Sequence, residues 1–227
     1  MIIKRHNLLE ITNMGRNKIF QQLKAFKQQY DFDLIRELIV EGYDGIKVPG
    51  IIRREENTII KGTIPVGFSS PFRYQDNRLR IPGFVPKEEI VKAVSPYEVI
   101  KKEFVFRTKC LQALKEIVQL ADEFKICLGV WGSSGLEIYS GLPYTDDNSD
   151  LDLLINPCEY GKLKEFYSDL KKIGEEYKCG IDPELNLPNG YGVKVAELFM
   201  NTEDILGKSI NDVKLIPKKS IICMLKN

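Results

Sequence analysis

Two aspartates separated by one leucine, Asp150 and Asp152 in the run SDLDLLI, are the residues whose types and spacing most directly invite chemistry. In a strand, successive side chains alternate between faces, so both carboxylates point one way while Leu151 and Leu153 point the other. Two carboxylates on one face repel, and their partial desolvation costs stability unless a cation lies between them. A divalent metal is the usual solution. Asp146 and Asp147 complete a set of four aspartates within seven residues; they share a loop with Asn148 and Ser149 and read as solvated loop charge.

Upstream, CLGVWGSSG reads as a buried strand ending in a tight turn that opens a helix at Ser133 or Ser134. Free backbone N–H groups and the positive end of a helix dipole make such a turn a cradle for an anion, and Gly132 lets a phosphate approach the backbone. A phosphate cradle of Gly132 and Ser133, followed by a carboxylate pair on the next strand, matches the needs of nucleotidyl transfer. There, metal ions neutralise a triphosphate and align the attack while the cradle holds the leaving pyrophosphate. A two-metal site wants a third carboxylate from an adjacent strand. IDPELNL offers Asp182, with Glu184 on the same face, and Glu197 in KVAELF is a further candidate. Plainer roles are open to the same residues: Asp150 as a loop cap, Asp152 in solvent, Ser133 as a helix cap. A metal-dependent glycosyltransferase of the DxD kind is also open, although it leaves the Gly-Ser turn unexplained.

A sheet and helices must hold these groups. Apolar residues recur at near-helical spacing from Asn13 to Val40 (Ile19, Phe20, Leu23, Phe26, then Leu34, Ile35, Leu38, Ile39), which predicts one or two helices. From Ile46 to Pro86, short β-branched runs broken by turns predict a small β-rich unit. The stretch from Glu103 to Phe124 predicts an amphipathic helix. Beyond it the pattern predicts a strand over Lys125 to Trp131, a helix over Ser133 to Tyr139, a strand over Asp150 to Ile155 and a helix over Glu159 to Tyr177. Strands over Cys179 to Leu187, Tyr191 to Met200 and Ile221 to Leu225 follow. This order indicates an α+β protein, a mixed sheet with flanking helices plus a smaller N-terminal domain containing helices and strands. Composition and periodicity change near Pro96, which divides the chain into domains over 1–98 and 99–227.

With 227 residues, 43% of them hydrophobic, the chain can build a real core. Its 33 basic and 32 acidic residues leave no global field. No nucleic-acid or membrane partner is therefore expected, and an anionic ligand must be held locally. The start, MIIKRHNLLEI, lacks the apolar run of a signal peptide, and no stretch approaches the roughly 20 apolar residues that span a bilayer. A cytoplasmic location is expected. The five cysteines lie far apart without CxxC spacing and are expected to be reduced and buried.

The stretch GSSGLEIYSGLPYTDDNSDLDLLI resembles the signature of the phosphoribosyl-dephospho-CoA transferases, the holo-acyl carrier protein synthases of malonate decarboxylase, within the nucleotidyltransferase superfamily. A Gly-Ser turn, a Ser/Thr-Gly-Leu-Pro element and an SDLDLL strand recur there at very similar separation. IDPELNLPNGYGVKVAEL is similar to the family's next hairpin and sets Asp182 at the third carboxylate. RHNLLEI is similar to an N-terminal element of the family, with Asn7 where Asp is usual, and IPVGFSSPFRYQDNR resembles its Pro-Val-Gly segment followed by arginines. The resemblance implies a nucleotidyltransferase-like fold for residues 99–227. It implies 2'-(5''-triphosphoribosyl)-3'-dephospho-CoA as donor, and as acceptor a serine of the apo acyl carrier protein subunit of malonate decarboxylase. Asp150, Asp152 and Asp182 would hold Mg²⁺ (or Mn²⁺), and Gly132 with Ser133 would hold the triphosphate.

Of the remaining residues, Arg73, Arg78 and Arg80 form a basic cluster with Phe72 and Tyr74 interleaved; Arg73 and Arg78 are candidate substrate contacts, against a solvated face as the alternative. Arg53 and Arg54 are read as compensated by Glu55 and Glu56. His6, the only histidine, reads as structural or substrate-facing, and Trp131 as a core residue or a stacking surface for adenine.

Overall fold

The computed structural model describes residues 3–25, 31–54 and 60–225; Phe26, Glu55 and Glu56 lie outside the described residues. The chain divides into two compact units, one of Met1–Ser95 with Tyr139–Tyr144 and one of Pro96–Ile138 with Thr145–Asn227. Both combine helices with a sheet of their own, so the protein is α+β.

The first unit contains strand β1 (Leu8–Ile11), helices α1 (Asn13–Ala25) and α2 (Phe32–Arg36), a π-helical turn (Glu37–Glu41), and strands β2 (Gly50–Ile52), β3 (Thr63–Tyr74), β4 (Asn77–Pro86) and β5 (Ile90–Val94). The strands form an antiparallel sheet in the order β4-β3-β2-β1-β5. Helix α1 buries Ile19, Phe20 and Leu23, with Leu23 four and three residues after the other two on one face. It also buries Arg16, whose guanidinium donates to the carbonyls of Ile11, Ile39 and Val48. Three main-chain acceptors satisfy that buried cation and tie strand end, π turn and loop together.

The second unit runs α3 (Pro96–Val99), α4 (Lys109–Glu123), β6 (Leu128–Val130), α5 (Gly132–Ser140), β7 (Leu151–Ile155), α6 (Tyr160–Tyr177), β8 (Ile181–Asn186), β9 (Gly192–Lys194), α7 (Val195–Phe199), β10 (Asp204–Lys208), β11 (Val213–Pro217) and α8 (Lys218–Met224). Its sheet is mixed, in the order β11-β10-β9-β8-β7-β6. The β7–β8 pair is parallel and the other four pairs are antiparallel. The parallel pair requires a crossover, which α6 supplies. Helices α4 and α6 pack on each other and on β7 and β8. Leu111, Leu114 and Ile117 of α4, Leu163, Phe166 and Leu170 of α6, and Leu151, Leu153 and Ile155 of β7 are all buried.

Several expectations change. Helix α4 begins at Lys109, not near Glu103; Thr108 is extended, and Phe104 and Phe106 meet edge to face in the irregular stretch before it. The strand expected over Tyr191 to Met200 ends at Lys194, because Val195 and Leu198, nearly one helical turn apart, are both buried in α7. The strand expected over Ile221 to Leu225 is instead helix α8, with Ile221 and Leu225 buried at the helical spacing of four. Its place at the sheet edge is taken by β10 and β11, which the sequence pattern did not suggest. Cys110 and Cys179 are buried, but Cys127 and Cys223 are exposed, so burial is not common to the five free thiols. Among the described residues no helix is long and apolar enough to cross a membrane.

Candidate active site

Sheet register assembles the carboxylates. Strand β7 pairs parallel with β8 so that Asp152 stands opposite Asp182, and two side chains at one register position of neighbouring strands lie on one face. On its other side β7 pairs antiparallel with β6, Val130 opposite Leu153, so the end of β6 meets the start of β7. The turn that opens α5 therefore lies against Asp152. Trp131 donates its backbone N–H to the Asp152 carbonyl at 3.1 Å and its indole Nε1–H to the Leu153 carbonyl at 3.2 Å.

Gly132 is required twice over. Its φ of +65° lies in the left-handed region, and a Cβ there would overlap Asp152 Oδ2. Asp150, exposed just ahead of β7, has the corresponding relation to Gly180, where a Cβ would overlap Asp150 Oδ1. Glycine on each neighbouring segment thus makes room for one carboxylate of the DLD pair. Ser133 lies half-buried inside the first turn of α5 and not at its cap. The backbone N–H groups of that turn have no partner within the helix, which leaves them to a ligand or water.

Electrostatics mark Asp152. Burial first, then the charges of Asp182 and Asp150, push its carboxyl up to about 7, and Lys194 opposes the rise. Lys194 enters from β9, opposite Glu184 of β8, and places Nζ 2.7 Å from Asp182 Oδ2. That hydrogen bond raises the lysine above its ordinary value. Of the other acidic candidates, Glu184 is buried, and Glu197 accepts the Leu206 N–H with Oε2 at 3.1 Å.

A second network fixes the two segments that carry the site. Glu137 on α5 accepts from Arg107 Nε at 3.0 Å and Nη2 at 2.9 Å, and from Thr145 N at 2.6 Å and Oγ1 at 2.8 Å. It clamps α5 to the loop that leads to Asp150. In that loop Asp146 Oδ1 accepts from Asn148 N, forming an Asx turn, and Asp147 is exposed.

Arg73 and Arg78 belong to the first unit. Arg73 is exposed, with Nη1 3.1 Å from the Asp76 carbonyl. Arg78 donates to the carbonyls of Ser70, Pro71 and Tyr144, and its guanidinium lies over the Tyr144 ring. His6, half-buried in the same unit, has a φ of +64°.

Lys194, Glu137 and Arg107 were missed in the sequence reading. Glu137 had a signal, a carboxylate inside the apolar run LEIY that burial would oblige to find a partner. Lys194 had a weaker one, its place on the return strand of the hairpin that follows Asp182.

The donor set of Asp150, Asp152 and Asp182 is all carboxylate oxygen, which suits a hard divalent cation. The mutual repulsion felt at Asp152 is the charge such an ion would relieve. Among the described residues, no three His, Cys, Asp or Glu side chains are already gathered as a metal cage, and one Asp182 oxygen is engaged by Lys194.

Residues 100–219 match the model of the phosphoribosyl-dephospho-CoA transferase MdcG C-terminal domain. The chain is 28% identical over 174 residues to the phosphoribosyl-dephospho-CoA transferase of Pseudomonas fluorescens (strain Pf0-1), covering 74% of this chain and 78% of that protein. It is 23% identical over 174 residues to the protein of the same name from Xanthomonas axonopodis pv. citri, covering 77% and 81%. No solved structure gives a significant match.

Proposed function

The chain belongs to the phosphoribosyl-dephospho-CoA transferase family, and from that premise we propose that it moves the phosphoribosyl-dephospho-CoA group from 2'-(5''-triphosphoribosyl)-3'-dephospho-CoA to a serine of the apo acyl carrier protein subunit of malonate decarboxylase, releasing pyrophosphate. The observation that carries this reading is the register of Asp152 with Asp182 beside the Gly132 turn. Carboxylates beside a glycine turn with free backbone N–H groups support the reading, because nucleotidyl transfer needs both a metal-binding carboxylate set and an anion cradle.

In this reading the turn at Gly132 and Ser133 binds the donor's triphosphate through backbone N–H groups at the start of α5. Asp150, Asp152 and Asp182 hold Mg²⁺ or Mn²⁺, which when bound supplies charge neutralisation on the triphosphate. The serine oxygen bonds to the α-phosphorus, the bond to the pyrophosphate oxygen breaks, and the hydroxyl proton passes to Asp182, whose side chain is 41% exposed. Such a transfer rests on positioning and electrostatics more than on covalent chemistry. The clamp of Glu137 on Arg107 and Thr145 serves that positioning by fixing the cradle against the loop that carries Asp150.

Pyrophosphate release from donor and apo carrier tests the site. It should stop with EDTA, return with Mg²⁺ or Mn²⁺, and fall by about 10²-fold or more in Asp152→Asn and in Asp182→Asn with the circular dichroism unchanged. Full release in both variants would exclude these carboxylates.

A further inference from the structure

Lys194, the ion-pair partner of Asp182, has no part in the chemistry above. The members of the pair keep 49% and 41% of their side-chain surface, and a pair that exposed adds little to stability. Stability therefore does not account for it. Its location does: Asp182 is the register partner of half-buried Asp152, Asp150 lies two residues before Asp152 along the chain, and Glu184 stands opposite Lys194 itself. The ammonium is the cation that meets this acidic group.

We propose that Lys194 is the resident counter-cation of the carboxylate site, holding Asp182 while no divalent ion is bound and surrendering it when one enters. The inference rests on the metal-centred reading above. Asp182 is anchored in β8 between two paired strands, whereas the lysine has a flexible stem and a half-exposed head that can swing into solvent without moving backbone. A divalent ion reaching Asp182 meets a unit positive charge 2.7 Å from Oδ2. Lys194 therefore lowers the affinity for free metal, and once displaced its ammonium is available to a phosphate of the donor.

Mn²⁺ binding to the full chain, followed by loss of the free-ion EPR signal, tests this independently of turnover. Lys194→Met, with Lys194→Gln as a second neutral variant, should bind Mn²⁺ about tenfold more tightly than wild type, as expected for removing one nearby like charge. Lys194→Arg, which keeps the charge, should stay close to wild type. Unchanged or weaker binding in the neutral variants, with melting curves showing a folded protein, overturns the inference. If neither wild type nor the neutral variants bind Mn²⁺, or if Asp152→Asn binds it as well as wild type, the metal-centred reading itself fails.

Discussion

Asp152 is held in a place its charge disfavours. Its carboxyl is pushed up to about 7 by burial and by Asp182 and Asp150, against an ordinary value near 4. An acid whose pKa is higher folded than unfolded loses protons more readily in the unfolded chain, so it destabilises the fold progressively as pH rises from about 4 to about 7 and by a constant amount above. In metal-free protein Asp152→Asn should therefore raise stability at pH 8 by about 1–3 kcal/mol while leaving it nearly unchanged at pH 4. Urea unfolding at the two pH values measures this. A variant less stable than wild type at pH 8 would show that the carboxylate is stabilised where it stands. Asp150, Asp152 and Asp182 were legible as candidates because acidic residues in apolar, alternating sequence need an explanation. Lys194 was not, because a lysine on a short strand has no signature until the β8–β9 register sets it beside Asp182.

Two elements, α5 and the loop before β7, bring the Gly132 turn and the carboxylates together, and Glu137 joins them through Arg107 and Thr145. Removing the guanidinium leaves a nearly buried carboxylate with only its Thr145 donors. Arg107→Ala should cost about 1–3 kcal/mol and slow transfer more than stability alone explains, since α5 is then less firmly held. Chemical denaturation beside initial rates on folded protein checks both, and an unchanged rate would reduce the clamp to scaffold. The β6-α5-β7-α6-β8 succession was readable because each element carries a clean period of two or of about 3.6. The periphery was not. Val193 and Val195 alternate as in a strand, yet Val195 pairs with Leu198 across a helical turn. Strands β10 and β11 carry Leu206, Val213 and Leu215 exposed, which blurs the apolar-polar alternation in sequence by which a strand is recognised.

At the scale of the whole molecule, near-neutral charge leaves ligand binding to local geometry, and the chain forms two compact units. The proposed site residues suit transfer of a phosphate-linked group, whereas the phosphoribosyl-dephospho-CoA group is known from kinship alone, since nothing in two aspartates and a glycine turn encodes a dephospho-CoA. The most direct measurement is the intact mass of the apo carrier subunit after incubation with this chain, Mg²⁺ and either triphosphoribosyl-dephospho-CoA or ATP. The account predicts a gain of one phosphoribosyl-dephospho-CoA group on the acceptor serine with the first donor and no gain with ATP. A carrier that gains an adenylyl group from ATP, or remains unmodified by the first donor while the chain is folded, would contradict it.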